Sequence, residues 1–274
     1  MKITHALATT AFGIAVMLPL TGHAATVGYR TDCYYAQGDT AAVIREAGHT
    51  PVPLASLDAA SLAPLGALMY ESCNGLYTSG VVVDQAVANG MVLVVHPWSY
   101  GQTVELPGRL RLTSVEDQTA TLFPPGSPAL AGPGGRLDSA TPYISYPQGF
   151  WARTALPVGS QVVATSDANA DYVAAFAYNH GRGRVVASTV ALNYFLLNGS
   201  GQNDADAAEV RTYASNLVAW ALTPRFTTCA AEGFAGPRLT MCRQICEVDQ
   251  TPARLTNLIR LYLAIYRTET PCSR

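Results

Sequence analysis

The sequence has 274 residues, of which 49% are hydrophobic and 13% charged, and its 17 Lys and Arg side chains nearly balance 19 Asp and Glu side chains. A net charge of −2 lacks the basic surplus with which proteins bind nucleic acids or anionic membranes, so we expect no nucleic-acid partner. Beyond the N-terminus no segment has enough uninterrupted apolar residues for a membrane span, and none is expected.

Residues 1–24 have the pattern of a signal peptide. Lys2 supplies the positive start, residues 6–20 form a short apolar core, and Gly22-His23-Ala24 is a small-x-small cleavage site. This pattern predicts cleavage near Ala24 and a secreted or periplasmic protein.

Residues 25–54 begin an α/β pattern. A β-rich run at residues 26–29 is followed by a helix over residues 39–48, with Asp39 as its N-cap and Gly48 as its stop. A second short strand is predicted over residues 49–54.

The stretch 65–101 predicts a βαβ unit. Apolar runs at residues 67–70 and 91–95 are typical of strands buried on both faces, and a helix over residues 79–89 ends at Gly90. Such units build parallel sheets, so we expect a flavodoxin-like, doubly wound, mostly parallel sheet. Ligands bind at the carboxyl ends of such strands, which directs attention to residues 71–75 and 96–101.

The rest of the predicted α/β domain contains loops, further strands and one long helix. Residues 102–160 are rich in Pro and Gly and are interpreted as loops and edge strands over the carboxyl edge of the sheet. Their aromatic cluster could line a groove or simply pack under the loops; its members are Tyr143, Tyr146, Phe150 and Trp151. Further strands are predicted at residues 161–165, 172–178 and 185–189, the last two as a hairpin, and a long helix over residues 203–222.

Six cysteines follow the predicted cleavage site, and an even count in an exported chain favours disulfides over metal ligands. They are Cys33, Cys73, Cys229, Cys242, Cys246 and Cys272. Cys33 and Cys73 each follow a predicted strand, and they can form a bridge if those strands adjoin. The alternative is Cys73 as a free nucleophile.

Three segments carry a family resemblance: residues 45–49 (REAGH), 87–95 (VANGMVLVV) and 178–186 (YNHGRGRVV). They resemble the class I glutamine amidotransferase-like superfamily. The resemblance extends over roughly residues 26–222 and implies that residues 25–222 form one amidotransferase-like α/β domain.

The sequence departs from this family at the positions that carry its chemistry. Active members have a Cys in the turn after the strand matching residues 91–95, whereas this turn reads HPWSYG over residues 96–101. The family's later His and acid have no counterpart in residues 191–194. The resemblance therefore implies a non-catalytic branch of the fold.

Other chemistry has weaker support. Ser99 lies in half of a nucleophile-elbow pattern, but its base would have to be His96 or the distant His180. His49 and His96 could bind a metal with Glu71 or Asp32, yet no ligand spacing supports this, and no metal or cofactor is expected.

Residues 223–274 are predicted to be a helical hairpin stapled by disulfides. A short helix carries Cys242 and Cys246 one turn apart, and a second helix starts at Thr251-Pro252. Two cysteines on adjacent turns of one helix are poorly placed to form a disulfide with each other. These two are therefore expected to pair with Cys229 and Cys272, in either order. The segment resembles small Cys-rich modules at the C-termini of bacterial exported proteins.

The leading functional prediction is an exported binding or surface module without catalytic activity. Its ligand would be a carbohydrate or a protein, and the residues predicted to line the ligand groove are His96, Trp98, Tyr100 and Asn193. One alternative is a divergent hydrolase that acts on polysaccharide or peptide through Ser99 or Cys73, with His96 nearby. The other is a purely structural surface protein.

Overall fold

The structure is a computed structural model. It describes residues 24–31, 39–72, 80–97, 101, 103–115, 121–137, 149–190, 192, 196, 204–223, 229, 233–246, 248, 250–268 and 270. The predicted signal peptide and cleavage site lie almost wholly outside the described residues and stay predictions.

The first part of the chain alternates strands and helices. The strands are β1 Thr26–Thr31, β2 Thr50–Pro53, β3 Ala67–Ser72 and β4 Val92–Pro97, and the helices are α1 Thr40–Glu46, α2 Ala59–Leu62 and α3 Gly80–Ala88. Every residue of β3 and β4 is buried, as the continuous apolar runs predict. Gly90 follows α3 with a φ of 119° and allows the chain to turn directly into β4.

Between β4 and the C-terminal helices, most of the regular elements among the described residues are strands. They are β5 Thr103–Leu106, β6 Leu110–Val115, β7 Thr121–Leu122, β8 Ala131–Gly132, β9 Gly135–Arg136, β10 Phe150–Ala152, β11 Gln161–Ser166, β12 Tyr172–His180 and β13 Gly183–Ser188. The helices whose bounds are described after β13 are α4 Asp204–Leu222, α5 Gly236–Cys246 and α6 Pro252–Tyr266.

The central sheet has 11 strands and mixes parallel with antiparallel pairing. Its main path runs β2-β1-β3-β4-β13-β12-β10-β6-β5, while β11 pairs with β12 and β7 pairs with β11. Neighbours from β2 to β13 are parallel, and those from β13 to β5 are antiparallel. The fold is therefore α/β with a mixed central sheet.

The region predicted as loops and edge strands over the carboxyl edge also contributes interior strands to this sheet. β6 and β10 are interior strands, and β5 forms one edge of the sheet. Local sequence does not show this, because the strands are short and their partners, such as β12, are distant in the chain. Phe150 and Trp151 are fully buried, so these two aromatics belong to the core; Tyr143 and Tyr146 lie outside the described residues.

Helices cover both faces of the parallel half. On one face, α1 and α4 bury Val43, Tyr213 and Leu217 against Met69 and Val94. On the other, α3 buries side chains such as Val83 and Val87 against Leu68 and Leu93. Within the described parts of the chain, every helix is too short or too polar to span a bilayer.

The C-terminal helices pack on each other around a small separate core. Cys242, Ile245, Leu255, Ile259 and Tyr262 are its buried residues, together with Cys229. Cys229 and Cys242 form a disulfide with a Cα–Cα distance of 5.8 Å. Cys246 is disulfide-bonded as well, to a cysteine outside the described residues. The prediction that Cys242 pairs outward, not with Cys246, is confirmed.

The hairpin between β12 and β13 is held tightly against the end of α3. A Cβ atom on Gly183 would lie 2.1 Å from the carbonyl oxygen of Val87 and 2.4 Å from that of Met91. Both obstacles are backbone atoms and cannot move aside as a side chain can.

Gly183→Ala is therefore expected to lower the free energy of unfolding by about 2 kcal/mol, through overpacking. Urea denaturation measures this loss. Gly66→Ala is the matched control, since its nearest neighbour is the Ala25 Cβ at 3.2 Å. Equal stability of the two variants would contradict the close packing of this hairpin.

Candidate functional site

The carboxyl ends of the parallel strands bring four polar residues into one row. Thr31 pairs with Glu71 across β1 and β3, and Glu71 pairs with His96 across β3 and β4. Ala187 pairs with Val95, which places Ser188 beside His96. We call Thr31, Glu71, His96 and Ser188 the polar row.

The polar row faces the layer formed by α1 and α4. Side chains alternate along a strand, and the residues two positions earlier, such as Met69 and Val94, belong to the core on that face. Glu71, His96 and Ser188 are at most 4% exposed. Four adjacent polar residues at the buried end of an otherwise apolar sheet form the most prominent candidate site.

His96 is held in one orientation by the backbone. Its Nδ1 lies 3.2 Å from the carbonyl oxygen of Val190. Burial lowers the pKa of His96 to about 4, so the imidazole is neutral at physiological pH. Because a carbonyl oxygen only accepts, Nδ1 carries the hydrogen, and Nε2 offers a lone pair.

The Nε2 atom of His96 is enclosed yet makes no hydrogen bond to any described residue. A buried acceptor without a donor is uncommon in a folded protein. The lone pair of Nε2 is therefore available to any donor group that reaches it.

The polar row is tied to α4 at its far end. The Tyr213 hydroxyl donates a hydrogen bond of 2.7 Å to the Ser188 Oγ, and the Val190 amide donates to the same oxygen at 3.2 Å. Burial raises the pKa of Tyr213 well above its ordinary value. These bonds fix the backbone that holds His96.

The two helices over the polar row are joined by an ion cluster. Arg211 of α4 donates hydrogen bonds to Glu46 at 2.8 Å and to Asp39 at 3.1 Å, while the Ser215 hydroxyl donates to Glu46 at 3.0 Å. The hydrogen bond from Arg211 holds the pKa of the Glu46 carboxyl below its usual value. The cluster clamps α1 to α4 on the solvent side of the site.

Most of the predicted site residues cannot be compared with the structure. Cys73, Trp98, Ser99, Tyr100 and Asn193 lie outside the described residues and stay predictions; so do Cys33 and its bridge to Cys73. β1 and β3 do adjoin, which is the condition on which that bridge depends.

His49 and His96, whose sharing of a metal the sequence already disfavoured, lie at opposite ends of the sheet. His49 directly precedes β2, where its Nδ1 accepts a hydrogen bond of 3.3 Å from the Ala25 amide at the amino ends of the strands. His96 lies at the carboxyl ends of the same sheet. A strand length separates them, so they cannot share a metal.

His180 is also at the far end from the polar row. It ends β12, and its Nε2 lies 3.2 Å from the Asp84 carboxylate on α3. β4 ends with Pro97 at the opposite end of the strands. A pairing of His180 with Ser99 therefore has no support in the topology.

Among the described residues, one group of cysteine sulfur atoms is close enough together to hold a metal ion. The Sγ atoms of Cys229, Cys242 and Cys246 lie within 4.8 Å of one another. All three cysteines are disulfide-bonded. A cysteine binds a metal ion as a thiolate, which a disulfide sulfur is not, so this cluster does not fit a metal ion.

Ser188 and Tyr213 were not identified from the sequence. Ser188 closes an apolar strand with a polar residue, as Glu71 and His96 do, and that shared pattern is the local signal that could have found it. Nothing local indicates that Tyr213 would reach it from a helix 25 residues later in the chain.

Comparisons with known proteins give only a distant structural likeness. No protein-family model matches the sequence, and no curated protein matches it. A solved structure from Thermoplasma acidophilum, provisionally described as one of the subunits of GMP synthase, aligns with a TM-score of 0.43 and 11% sequence identity. The alignment covers 72% of this chain and 96% of that chain.

Proposed function

We propose that this chain is an exported binding protein without catalytic activity, with an amidotransferase-like domain whose five parallel strands have the flavodoxin-like order. Its ligand contacts the carboxyl edge of the parallel strands, above the polar row. The observation that carries the proposal is the state of His96: neutral, buried and oriented by Val190.

This state suits binding better than proton transfer. A general base works best with a pKa near the operating pH, whereas the pKa of His96 is about 4. A base this weak takes up a proton poorly at pH 7. A fixed neutral imidazole is instead a good hydrogen-bond acceptor for a hydroxyl or amide group of a ligand.

Of the two ligand classes, the residues favour a carbohydrate. The groove predicted from His96, Trp98, Tyr100 and Asn193 combines aromatic rings with hydrogen-bonding side chains. Rings of this kind present flat apolar faces with a polar handle, while sugar hydroxyls supply the donors that Nε2 of His96 lacks. Export is part of the proposal, supported by the Cys229–Cys242 disulfide, since such bonds persist in oxidising compartments.

Tryptophan fluorescence tests this proposal with chitohexaose and maltohexaose as probes. Of the three tryptophans, Trp151 is fully buried and Trp220 lies under the Arg184 guanidinium at 3.7 Å. We expect a saturable fluorescence change with one of the probes that Trp98→Phe abolishes. His96→Leu should weaken binding roughly ten-fold, the effect of one buried hydrogen bond.

The control variant is Trp220→Phe, which should retain the change. Mass spectra of the probe after incubation should show it intact. If the wild-type protein cleaves the probe and Ser99→Ala or Cys73→Ser abolishes the cleavage, the protein is a hydrolase and the proposal is wrong. No response to either sugar, in protein of native stability, would contradict carbohydrate binding.

A further inference from the structure

A second groove lies at the opposite end of the sheet from the polar row, where the C-terminal helix α6 meets the α/β domain. The β5–β6 turn, the segment 155–158 and the β12–β13 hairpin form one side, and α6 forms the other. Its volume is about 450 Å³, within the usual range for ligand sites.

Two arginines without an ion pair among the described residues line the groove. Arg109 comes from the β5–β6 turn and Arg260 from α6. Within the described chain, neither guanidinium makes an ion pair or a side-chain hydrogen bond. Asp84, an acid at the same end of the sheet, is engaged by His180 and by the Gly108 amide at 2.6 Å.

Arg109 has an unusual backbone conformation for its side-chain type. With a φ of 60° it occupies the left-handed region, directly after Gly108 at a φ of 81°. Asn, Asp or Gly adopt this conformation more readily, and such strain in a non-glycine residue is concentrated at functional positions. The turn therefore places a guanidinium at the groove, although a smaller residue would adopt this backbone conformation with less strain.

Much of the remaining lining is apolar, although Asn179, His180 and Thr256 also contribute polar side chains. Leu156 lines the groove together with Ile259 and Leu263 of α6. Beneath them lies Tyr178, whose ring is buried and whose hydroxyl donates a hydrogen bond of 2.8 Å to the Pro107 carbonyl. At the rim Val158 is 87% exposed. Apolar walls between two arginines suit a ligand that alternates apolar and anionic groups.

We propose that this groove binds an acidic peptide segment of a partner protein. Its carboxylates pair with Arg109 and Arg260, since guanidinium groups bind carboxylates in bidentate geometry. An aliphatic side chain of the peptide lies between Leu156 and Leu263. The site is independent of the proposed carbohydrate function, because the β12–β13 hairpin is at the amino end of β13 and the polar row at its carboxyl end.

Fluorescence anisotropy of the full chain with a fluorescein-labelled Glu-Leu-Glu-Leu-Glu-Leu peptide tests the proposal. We expect saturable binding that the double variant Arg109→Ala/Arg260→Ala weakens roughly ten-fold or more. Arg254→Ala is the matched control, because Arg254 is an exposed arginine of α6 outside the groove. It should leave the affinity unchanged.

Charge reversal keeps the test independent of folding defects. The double variant Arg109→Glu/Arg260→Glu should lose the Glu-Leu peptide and gain binding of a Lys-Leu-Lys-Leu-Lys-Leu peptide. Wild-type protein that binds both peptides equally, or neither, would overturn the proposal. So would an Ala double variant that binds as the wild type does, or recruitment to phosphatidylglycerol vesicles without peptide binding.

Discussion

Lowering the pH from 6.5 to 4 is expected to reduce the free energy of unfolding by about 3 kcal/mol through His96 alone. The ordinary pKa of 6.5 applies to the unfolded chain, whereas burial lowers the folded pKa to about 4. Between these values the unfolded state binds a proton that the folded state does not. The contribution is complete above pH 6.5 and is lost as the pH falls through this window.

Urea denaturation over a pH series measures this effect in wild type and in His96→Gln, whose side chain stays neutral. In His96→Gln the free energy of unfolding should fall much less over this pH range. His49→Gln is the matched control: burial lowers the pKa of His49 too, but this residue is only half-buried and its contribution is smaller. Parallel curves for wild type and His96→Gln would show that His96 is not held neutral.

Removal of the Cys229–Cys242 disulfide is expected to unfold the C-terminal hairpin selectively. The bond closes a loop with a sequence separation of 13, for which loop-closure entropy gives about 3 kcal/mol. The core of α5 and α6 has few buried residues to offset that loss. The double variant Cys229→Ser/Cys242→Ser should therefore be cut rapidly by trypsin at Arg238, Arg243 and Arg254.

Limited proteolysis followed by mass spectrometry locates those cuts. The matched control is Cys33→Ser/Cys73→Ser, which removes the bridge predicted for the α/β domain and should leave the hairpin resistant. A Cys229/Cys242 variant that resists trypsin as wild type does would show that helix packing alone holds the hairpin.

The local patterns were sufficient for the parallel half of the sheet and for the C-terminal hairpin. Continuous apolar runs identified β3 and β4, and the Thr251-Pro252 start with its apolar stripe identified α6. Boundaries differ by one or two residues, as for α3, which spans Gly80–Ala88 where residues 79–89 were predicted. These features depend on residues close in sequence.

The features that the sequence did not reveal depend on distant partners. β10 joins the main sheet by pairing with β12, and β6 joins it by pairing with β10; in both pairs the two strands lie far apart in the chain. The bond from Tyr213 to Ser188 and the acceptor role of Val190 toward His96 likewise require the register of the sheet. The sequence placed His96 at the correct edge, but not its tautomer, burial or partner.

The central claim is that His96 is a fixed neutral acceptor and not a general base, and NMR of protein labelled with ¹⁵N in histidine tests it directly. Imidazole nitrogen shifts report charge and tautomer from about pH 8 to about pH 5, the window in which an ordinary histidine titrates. We predict a neutral His96 with its hydrogen on Nδ1 throughout. A titration midpoint of His96 near the ordinary pKa of 6.5 would contradict the account and favour the alternative that the protein is a hydrolase.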